Sequence, residues 1–302
     1  MNTKFGKVAV LMGGNSAERE VSLKSGTAVL AALKRQGVDA HAIDTADNIK
    51  ALLCTPKFDR AFVVLHGRGG EDGTIQGLLE SLGIPYTGTQ VLGSALAMDK
   101  YRTKMLWQAM GLTTPECMPL KSEADLHTAV ERFGLPLMIK PVLEGSSVGI
   151  SKVNHIDEVA AAWKNASQYN CLVIAERYIT GLEYTAAILD NQVLPFIRLE
   201  TPHDFYDYNA KYNDDTETSY LVPCGLGDVE QSLHDMMMQA FLSVDALGWG
   251  RVDFMMDSKG QAWLIEVNTV PGMTDHSLVP MAASHAGINF DELVLRILAT
   301  SV

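Results

Sequence analysis

Short apolar blocks alternate with amphipathic stretches through the first third of the chain. Residues 7–12 (Lys-Val-Ala-Val-Leu-Met) read as a buried strand, which Gly13-Gly14 turns. Helical spacing predicts a helix over 16–34, ended near Gly37. A second strand follows at 38–43, a short helix at 47–53 and a third strand at 60–65. A helix at 74–82 and a short strand at 84–86 close the region. This alternation predicts a parallel α/β sheet, whose functional groups lie beyond the carboxyl ends of the strands. Gly13-Gly14 and His66-Gly67 both fall there.

From about residue 94 the pattern changes to α+β. A helix is predicted over 95–110, broken by Thr113-Thr114-Pro115, then a helix at 122–133 and a strand at 137–141. The loop 144–149 (Glu-Gly-Ser-Ser-Val-Gly) leads to a return strand at 150–153, a helix at 156–165 and a strand at 171–176. The last third predicts paired strands at 183–189 and 192–198, then an irregular stretch at 200–223. An amphipathic helix at 228–247, a hairpin over 251–268 and a helix at 289–300 complete the chain. Domain boundaries fall near 95 and 180, dividing the chain into 1–95, 96–180 and 181–302.

The hairpin carries the densest chemistry. Alternation puts Arg251 and Asp253 on one face and Val252, Phe254 and Met256 on the other. On the return strand Glu266 and Asn268 share a face, opposite Trp263, Ile265 and Val267. With the apolar faces together, Asp253, Glu266 and Asn268 converge as oxygen donors beside a guanidinium. Such a set suits Mg²⁺, which keeps waters and substrate phosphates in its shell. A solvated strand face with one salt bridge accounts for the same residues.

Other stretches add chemistry, each with a plainer alternative. The small residues of 144–149 expose backbone N–H groups that can cradle phosphate, although an ordinary hairpin loop has the same composition. Neither a GxxxxGK[ST] nor a GxGxxG motif is present. Lys140 alternates with buried residues and needs an anionic partner, for which phosphate qualifies. Glu18 is either the N3 residue of a capping box begun by Asn15 or the partner of a substrate ammonium. His66 is either an acid–base group or hydrogen-bonded scaffolding. Glu71 and Asp72 are adjacent, point differently, and do not make a catalytic pair. Lys211 lies among the aromatics of 205–212, which reads as a lid over 200–223 or as a surface loop with packed tyrosines.

Composition narrows the classes. The chain has 302 residues, 47% of them hydrophobic and 20% charged, as in soluble globular proteins of more than one domain. A formal net charge of −12 argues against non-specific nucleic-acid binding, which needs Lys and Arg on phosphates. The 4 cysteines are far apart without CxxC spacing, which predicts a reducing compartment and small buried hydrophobes. No signal peptide and no membrane-spanning apolar run is visible, so a cytoplasmic location without a membrane partner is expected.

The motifs together resemble the D-alanine–D-alanine ligase family of the ATP-grasp superfamily, over nearly the whole chain. The resemblance rests on His66-Gly-Arg-Gly-Gly-Glu-Asp-Gly-Thr-Ile-Gln-Gly77, on Gly250-Arg-Val-Asp253 and on Glu266-Val-Asn-Thr-Val-Pro-Gly272. Shorter matches are residues 13–22, Met98-Asp-Lys100, Lys140-Pro141, residues 144–149 and residues 206–212. It implies a three-domain ATP-grasp architecture: an N-terminal Rossmann-like parallel sheet, with ATP held between two α+β domains. Lys100 and Lys140 would hold ATP phosphates under Ser146 and Ser147, Glu176 the adenine amine, Glu183 the ribose, and Lys211 the γ-phosphate. Asp253, Glu266 and Asn268 would bind two Mg²⁺, with Mn²⁺ able to replace it. Glu18 would take the ammonium of the first D-alanine and join Ser146 and Tyr212. His66 would belong to the substrate site, Arg251 and the Gly272 N–H to an oxyanion site. Ser277 and the Leu278 N–H would take the second carboxylate. The implied reaction passes through D-alanyl phosphate to D-alanyl-D-alanine for peptidoglycan synthesis, in a homodimer. Tyr212 favours this over a D-lactate-using relative, and the complete polar set argues against a non-catalytic nucleotide sensor. Val270 and Asp275 depart from the family pattern, which bears on affinity for the second substrate.

Overall fold

The computed structural model describes residues 3–53, 57–202, 218–274 and 276–301. The N-terminal sheet is parallel, with β1 (Lys7–Met12) between β2 (Asp39–Asp44) and β3 (Arg60–Val63). Val8, Ala9, Val10 and Leu11 are all fully buried, because a central parallel strand is covered on both faces. Tyr86 adds a parallel bridge beside Ala61. Helix α1 (Arg19–Arg35) packs on this sheet through Val29, Ala32 and Leu33.

Helix α1 begins at Arg19 rather than at residue 16. Glu18 is the residue before the first turn, and its side chain makes no capping bond. The capping-box alternative therefore fails, and the Glu18 carboxylate projects elsewhere. The predicted helix over 95–110 is two helices, α4 (Val91–Met98) and α5 (Lys100–Ala109). Asp99 separates them with an extended backbone and accepts from the Arg102 N–H at 2.9 Å, capping α5. That break sets Lys100 at the start of a helix.

The central sheet is antiparallel, in the order β4 (Cys117–Leu120), β7 (Val173–Arg177), β5 (Leu137–Pro141), β6 (Ser151–Val153). Helices α6 (Ala124–Phe133) and α7 (Val159–Ser167) cover it, placing Leu126, Ala129, Val159 and Ala162 on Leu137 and Ile139.

The C-terminal sheet runs β11 (Ser219–Leu221), β10 (Ile197–Glu200), β8 (Gly181–Leu189), β12 (Trp249–Asp257), β13 (Ala262–Asn268), with β9 (Gln192–Val193) on β8. The predicted strand 192–198 is thus two separate pieces. The helix Asp228–Ser243 covers the sheet with Met237, Ala240 and Phe241 against Val252 and Phe254.

The hairpin departs from simple alternation. Asp253 pairs with Glu266, but Phe254 pairs with Leu264, so Ile265 forms a β-bulge. Leu264 and Ala262 consequently join the core, at 0% and 2% exposure. Trp263 turns to the other face, where its indole N–H donates to Asp257 at 3.0 Å. The expected apolar set Trp263, Ile265 and Val267 is therefore corrected at Trp263 and Ile265.

A helix at Leu278–His285, which the sequence pattern did not signal, packs on β8 and on the helix Phe290–Ala299, which lies against α1. Val279, Ala282, Leu293, Val294 and Ile297 share one core with β1 and β3. This shared core brings residues 270–278 to the carboxyl ends of the N-terminal strands.

Cys224 is buried, whereas Cys117 and Cys171 are only half-buried, and all are free; Cys54 lies outside the described residues. Among the described residues no helix is long and apolar enough to cross a membrane.

Candidate active site

The hairpin positions its polar residues through register. Arg251 lies opposite Asn268, and Asp253 opposite Glu266. The Arg251 guanidinium donates to both Asp253 oxygens, at 2.8 and 2.7 Å. Thr185 of β8 adds a donor at 2.6 Å and the Asn268 amide one at 3.1 Å. Asp253 is only 6% exposed, so this face is not a solvated one. A carboxylate buried this far needs those donors. Glu266 is neutralised by Lys100, with Nζ at 3.0 Å. Burial pushes the Lys100 ammonium down, but the Glu266, Glu71 and Glu18 carboxylates outweigh it and hold it above its ordinary value. Lys100 Nζ also donates to the Glu144 carbonyl at 2.9 Å.

Glu18 sits past the carboxyl end of β1 at 8% exposure and accepts a hydrogen bond from the Ser146 hydroxyl. Two glycines make room for it. A Cβ on Gly67 (φ +69) or on Gly145 would lie 2.7 Å from Glu18 Oε2. Ser146 and Ser147 follow with φ of 49° and 60°, a left-handed turn held by non-glycine residues. Gly145→Ala is expected to displace the flexible carboxylate rather than the backbone. It should leave the unfolding midpoint nearly unchanged and lower activity about tenfold or more, measured as initial phosphate release beside thermal melting. Unaltered activity would show that the Glu18 position is unimportant.

Both ring nitrogens of His66 face protein groups, and the residue lines the cleft. Its Nδ1 donates to the Val270 carbonyl at 2.8 Å and its Nε2 lies 3.4 Å from Ser25 Oγ. Burial lowers its pKa, only partly offset by Glu18, so the ring is neutral. Ser25 also accepts from the Met273 N–H at 3.0 Å, fastening the 270–273 segment to α1. Glu71 accepts from the Gly67 N–H at 2.6 Å, and burial, reinforced by Glu18, pushes its carboxyl up to about 8. Gly272 lies against Ser277, where an added Cβ would come 2.9 Å from Oγ. Ser277 Oγ accepts from the Thr274 N–H at 2.9 Å, and Leu278 opens the helix behind it.

A second cluster lies on the central sheet. Lys140 finds its anion in Glu176, 2.6 Å away on the adjacent strand. Lys104 reaches the other Glu176 oxygen at 2.9 Å and donates to Thr114 Oγ1 at 2.9 Å. Lys140 thus has a protein partner where phosphate was expected. Sequence reasoning passed over Lys104, which is 1% exposed. Its signal was the spacing Lys100, Thr103, Lys104, Trp107, one helical face whose last three members are buried. Thr185 and Ser25 were also missed, since neither belongs to a periodic pattern that marks it, and Glu71 was considered only as half of a catalytic pair.

One cleft is lined by Glu18, His66, Ser146, Arg251, Glu266, Asn268, Gly272, Ser277 and Leu278, drawn from all parts of the chain. Asp253 stands behind Arg251, and Lys100 joins Glu266 to the 144–149 loop. Ser147 continues the Ser146 turn, and Glu183 lies on β8 opposite Met255 and Leu199. Lys211 and Tyr212, with most of the 200–223 stretch, and Asp275 lie outside the described residues. Asp253, Glu266 and Asn268 are the donor types a hard cation takes, but both Asp253 oxygens already accept from Arg251, Thr185 and Asn268 and Glu266 is paired with Lys100, so a cation would have to displace those partners. The Asn268 amide N–H₂ is turned to Asp253, so its oxygen is the atom a cation would take.

Residues 106–299 match the family model described as D-ala D-ala ligase C-terminus, and residues 44–89 that of the D-ala D-ala ligase N-terminus. A D-alanine–D-alanine ligase of Ectopseudomonas mendocina is 57% identical over 299 residues, 99% of this chain and 95% of that protein. One from Pseudomonas entomophila is 58% identical over 301 residues, 99% and 94% of the two chains. Among solved structures, the Bacillus anthracis D-alanine–D-alanine ligase complexed with ATP superposes with a TM-score of 0.85 at 31% identity, covering 97% of this chain and 96% of that one. The VanG D-Ala:D-Ser ligase of Enterococcus faecalis has the same TM-score, 0.85, at 31% identity, over 97% and 98% of the chains. The fold is accordingly ATP-grasp, and the expected mixture of a parallel α/β sheet with antiparallel α+β sheets holds. By sequence and by structure the chain belongs to the D-alanine–D-alanine ligase family.

Proposed function

We propose that the enzyme joins two D-alanine molecules with ATP, yielding D-alanyl-D-alanine, ADP and phosphate. The reading rests on one observation: Glu18, Ser146, Arg251, Gly272 and Ser277 face a single cleft. Glu18 would receive the ammonium of the first D-alanine, leaving its carboxylate toward the nucleotide. A carboxylate oxygen then attacks the γ-phosphorus, ADP leaves, and an acyl phosphate forms. The amine of the second D-alanine, its carboxylate at Ser277 and the Leu278 N–H, attacks the acyl carbon. The tetrahedral oxyanion would be stabilised by Arg251 and the Gly272 N–H; it collapses with loss of phosphate, which takes up the proton that the amine gives up.

The nucleotide would lie between the central and C-terminal sheets. Lys100 and Lys140 would meet phosphate oxygens under Ser146 and Ser147, with Glu176 at the adenine amine, Glu183 at the ribose and Lys211 at the γ-phosphate. Lys140 would have to share or leave Glu176 to do so, and Lys104 would keep Glu176 neutralised meanwhile. Asp253, Glu266 and Asn268 would hold two Mg²⁺, or Mn²⁺, which supply charge neutralisation for phosphoryl transfer. A homodimer in the cytoplasm, serving peptidoglycan precursor synthesis, completes the proposal. Purified enzyme with ATP, Mg²⁺ and D-alanine should release phosphate and dipeptide in equal amounts. No phosphate above a control lacking D-alanine would overturn the assignment.

A further inference from the structure

Arg68 stands in the glycine-dense loop after β3, and nothing in the proposed reaction uses it. Its Nε lies 2.8 Å from Glu144 Oε1, and its Nη2 donates to the Tyr169 carbonyl at 2.8 Å. Both partners belong to the central unit. Glu144 opens the 144–149 loop, and Tyr169 closes underneath it: a Cβ on Gly149 would lie 2.5 Å from the Tyr169 ring. One guanidinium thus ties the N-terminal sheet to the Glu144 end of the phosphate loop and to the residue that packs against its Gly149 end.

The loop has reason to need such a tie. Ser146 and Ser147 occupy left-handed backbone conformations, which for non-glycine residues cost free energy that surrounding contacts must offset. Among the described residues, the contacts that reach it from neighbouring elements include three polar ones. Arg68 takes the Glu144 carboxylate, Lys100 takes the Glu144 carbonyl, and Glu18 takes the Ser146 hydroxyl. Lys100 and Glu18 are assigned to phosphate and ammonium, so substrates compete for them. Arg68 has no such second duty. Glu144 is well covered, with its side chain 14% exposed, whereas Arg68 is 41% exposed. Burial pushes the Glu144 carboxyl up and Arg68 works against this, keeping it the acceptor of the pair.

We propose that Arg68 is a positioning residue: its bridge to Glu144 and Tyr169 sets the phosphate loop against the N-terminal sheet and thereby tightens nucleotide binding. The inference rests on the proposed ATP-dependent reaction of this cleft. Losing a charge-assisted pair of which one partner is half exposed should weaken ATP binding roughly five- to tenfold. The chemistry itself should change little, because Arg68 touches no reacting atom.

The test compares wild type, Arg68→Ala, Arg68→Lys, Glu144→Gln and the double variant Arg68→Ala/Glu144→Gln. Steady-state kinetics give kcat and KM for ATP and for D-alanine, and calorimetry gives the affinity for ADP–Mg²⁺ alone. Arg68→Ala should raise the KM for ATP and the ADP Kd together by about five- to tenfold, with kcat within about threefold of wild type. Arg68→Lys should recover only part of this, since one ammonium cannot reach both partners as the planar fork does. The double variant should be little worse than Arg68→Ala, because each change breaks the same bond. A KM for ATP and an ADP Kd within twofold of wild type in Arg68→Ala, or effects that simply add in the double variant, would overturn the proposal. An inactive wild type would instead strike at the reaction assignment, and the ADP titration would still judge the loop.

Discussion

Arg251→Ala is expected to lower kcat/KM by about a hundredfold or more, with little loss of folded protein. Arg251 faces the cleft, beside the Gly272–Ser277 segment that would receive the second substrate. In this structure Asp253 orients it, holding two of its nitrogens at 2.7 and 2.8 Å. A donor fixed in advance at a developing oxyanion stabilises the transition state more than the ground state, so the loss should fall on kcat. Arg251→Lys should recover little, since an ammonium cannot keep both Asp253 contacts and also point into the cleft. Asp253 retains Thr185 and Asn268 as donors in either variant, which offsets part of the cost of leaving its carboxylate without a cation. Dipeptide formation with saturating ATP, beside a circular dichroism melt, makes the measurement. Activity of Arg251→Ala within threefold of wild type would remove it from the oxyanion site.

Glu176→Gln should destabilise the protein by about 3 kcal/mol. Glu176 is 2% exposed and is the shared anion of Lys104 and Lys140, themselves at 1% and 6%. Burial pushes the Glu176 carboxyl up, but the two ammonium groups beside it overcome this and hold it below its ordinary range. Lys104 is pushed down by burial, with Glu176 only partly compensating. Removing the negative charge while keeping the volume leaves two buried cations facing each other. Urea unfolding at neutral pH reports the loss. The double variant Glu176→Gln/Lys104→Met should regain much of it, because one of the stranded charges is gone.

The pH dependence has a definite sign. A carboxyl whose folded pKa is depressed stabilises fully above its unfolded value, near 4.5 here, and loses that contribution as pH falls toward the folded value. The gap between wild type and Glu176→Gln should therefore be constant at neutral pH and narrow only below about pH 4.5. A gap under 1 kcal/mol at neutral pH would mean that Lys104 gives up its proton instead of remaining stranded.

Much of this was readable from local pattern. The strand 7–12, the helix 74–82 and the strand 137–141 appear with the bounds expected, because each has one periodicity and a clear stop signal. Alternation also placed Asp253, Glu266 and Asn268 on a common face. It failed a few residues away, at Trp263 and Ile265, because a bulge inserts a residue without leaving a mark in the period. The helix expected over 95–110 breaks at Asp99, which interrupts no hydrophobic stripe; its extended backbone and its capping bond mark the break.

Electrostatic partnership was the part that needed three dimensions. Sequence could say that Lys140 required an anion, because a buried ammonium without one is costly. It could not say that the anion is Glu176, or that Lys104 shares it, since the three groups come from three elements. Likewise Glu18 offered two readings until the first turn of α1 proved to begin after it and Ser146 proved to reach it. Element type, face and the need for a partner follow from neighbours within a few residues along the chain. Which charge meets which, and so which ones remain turned toward the cleft, follows from packing of distant segments. Here the decisive event is the burial of the C-terminal helices in the N-terminal core, which carries Gly272 and Ser277 to the strand ends where Glu18 waits.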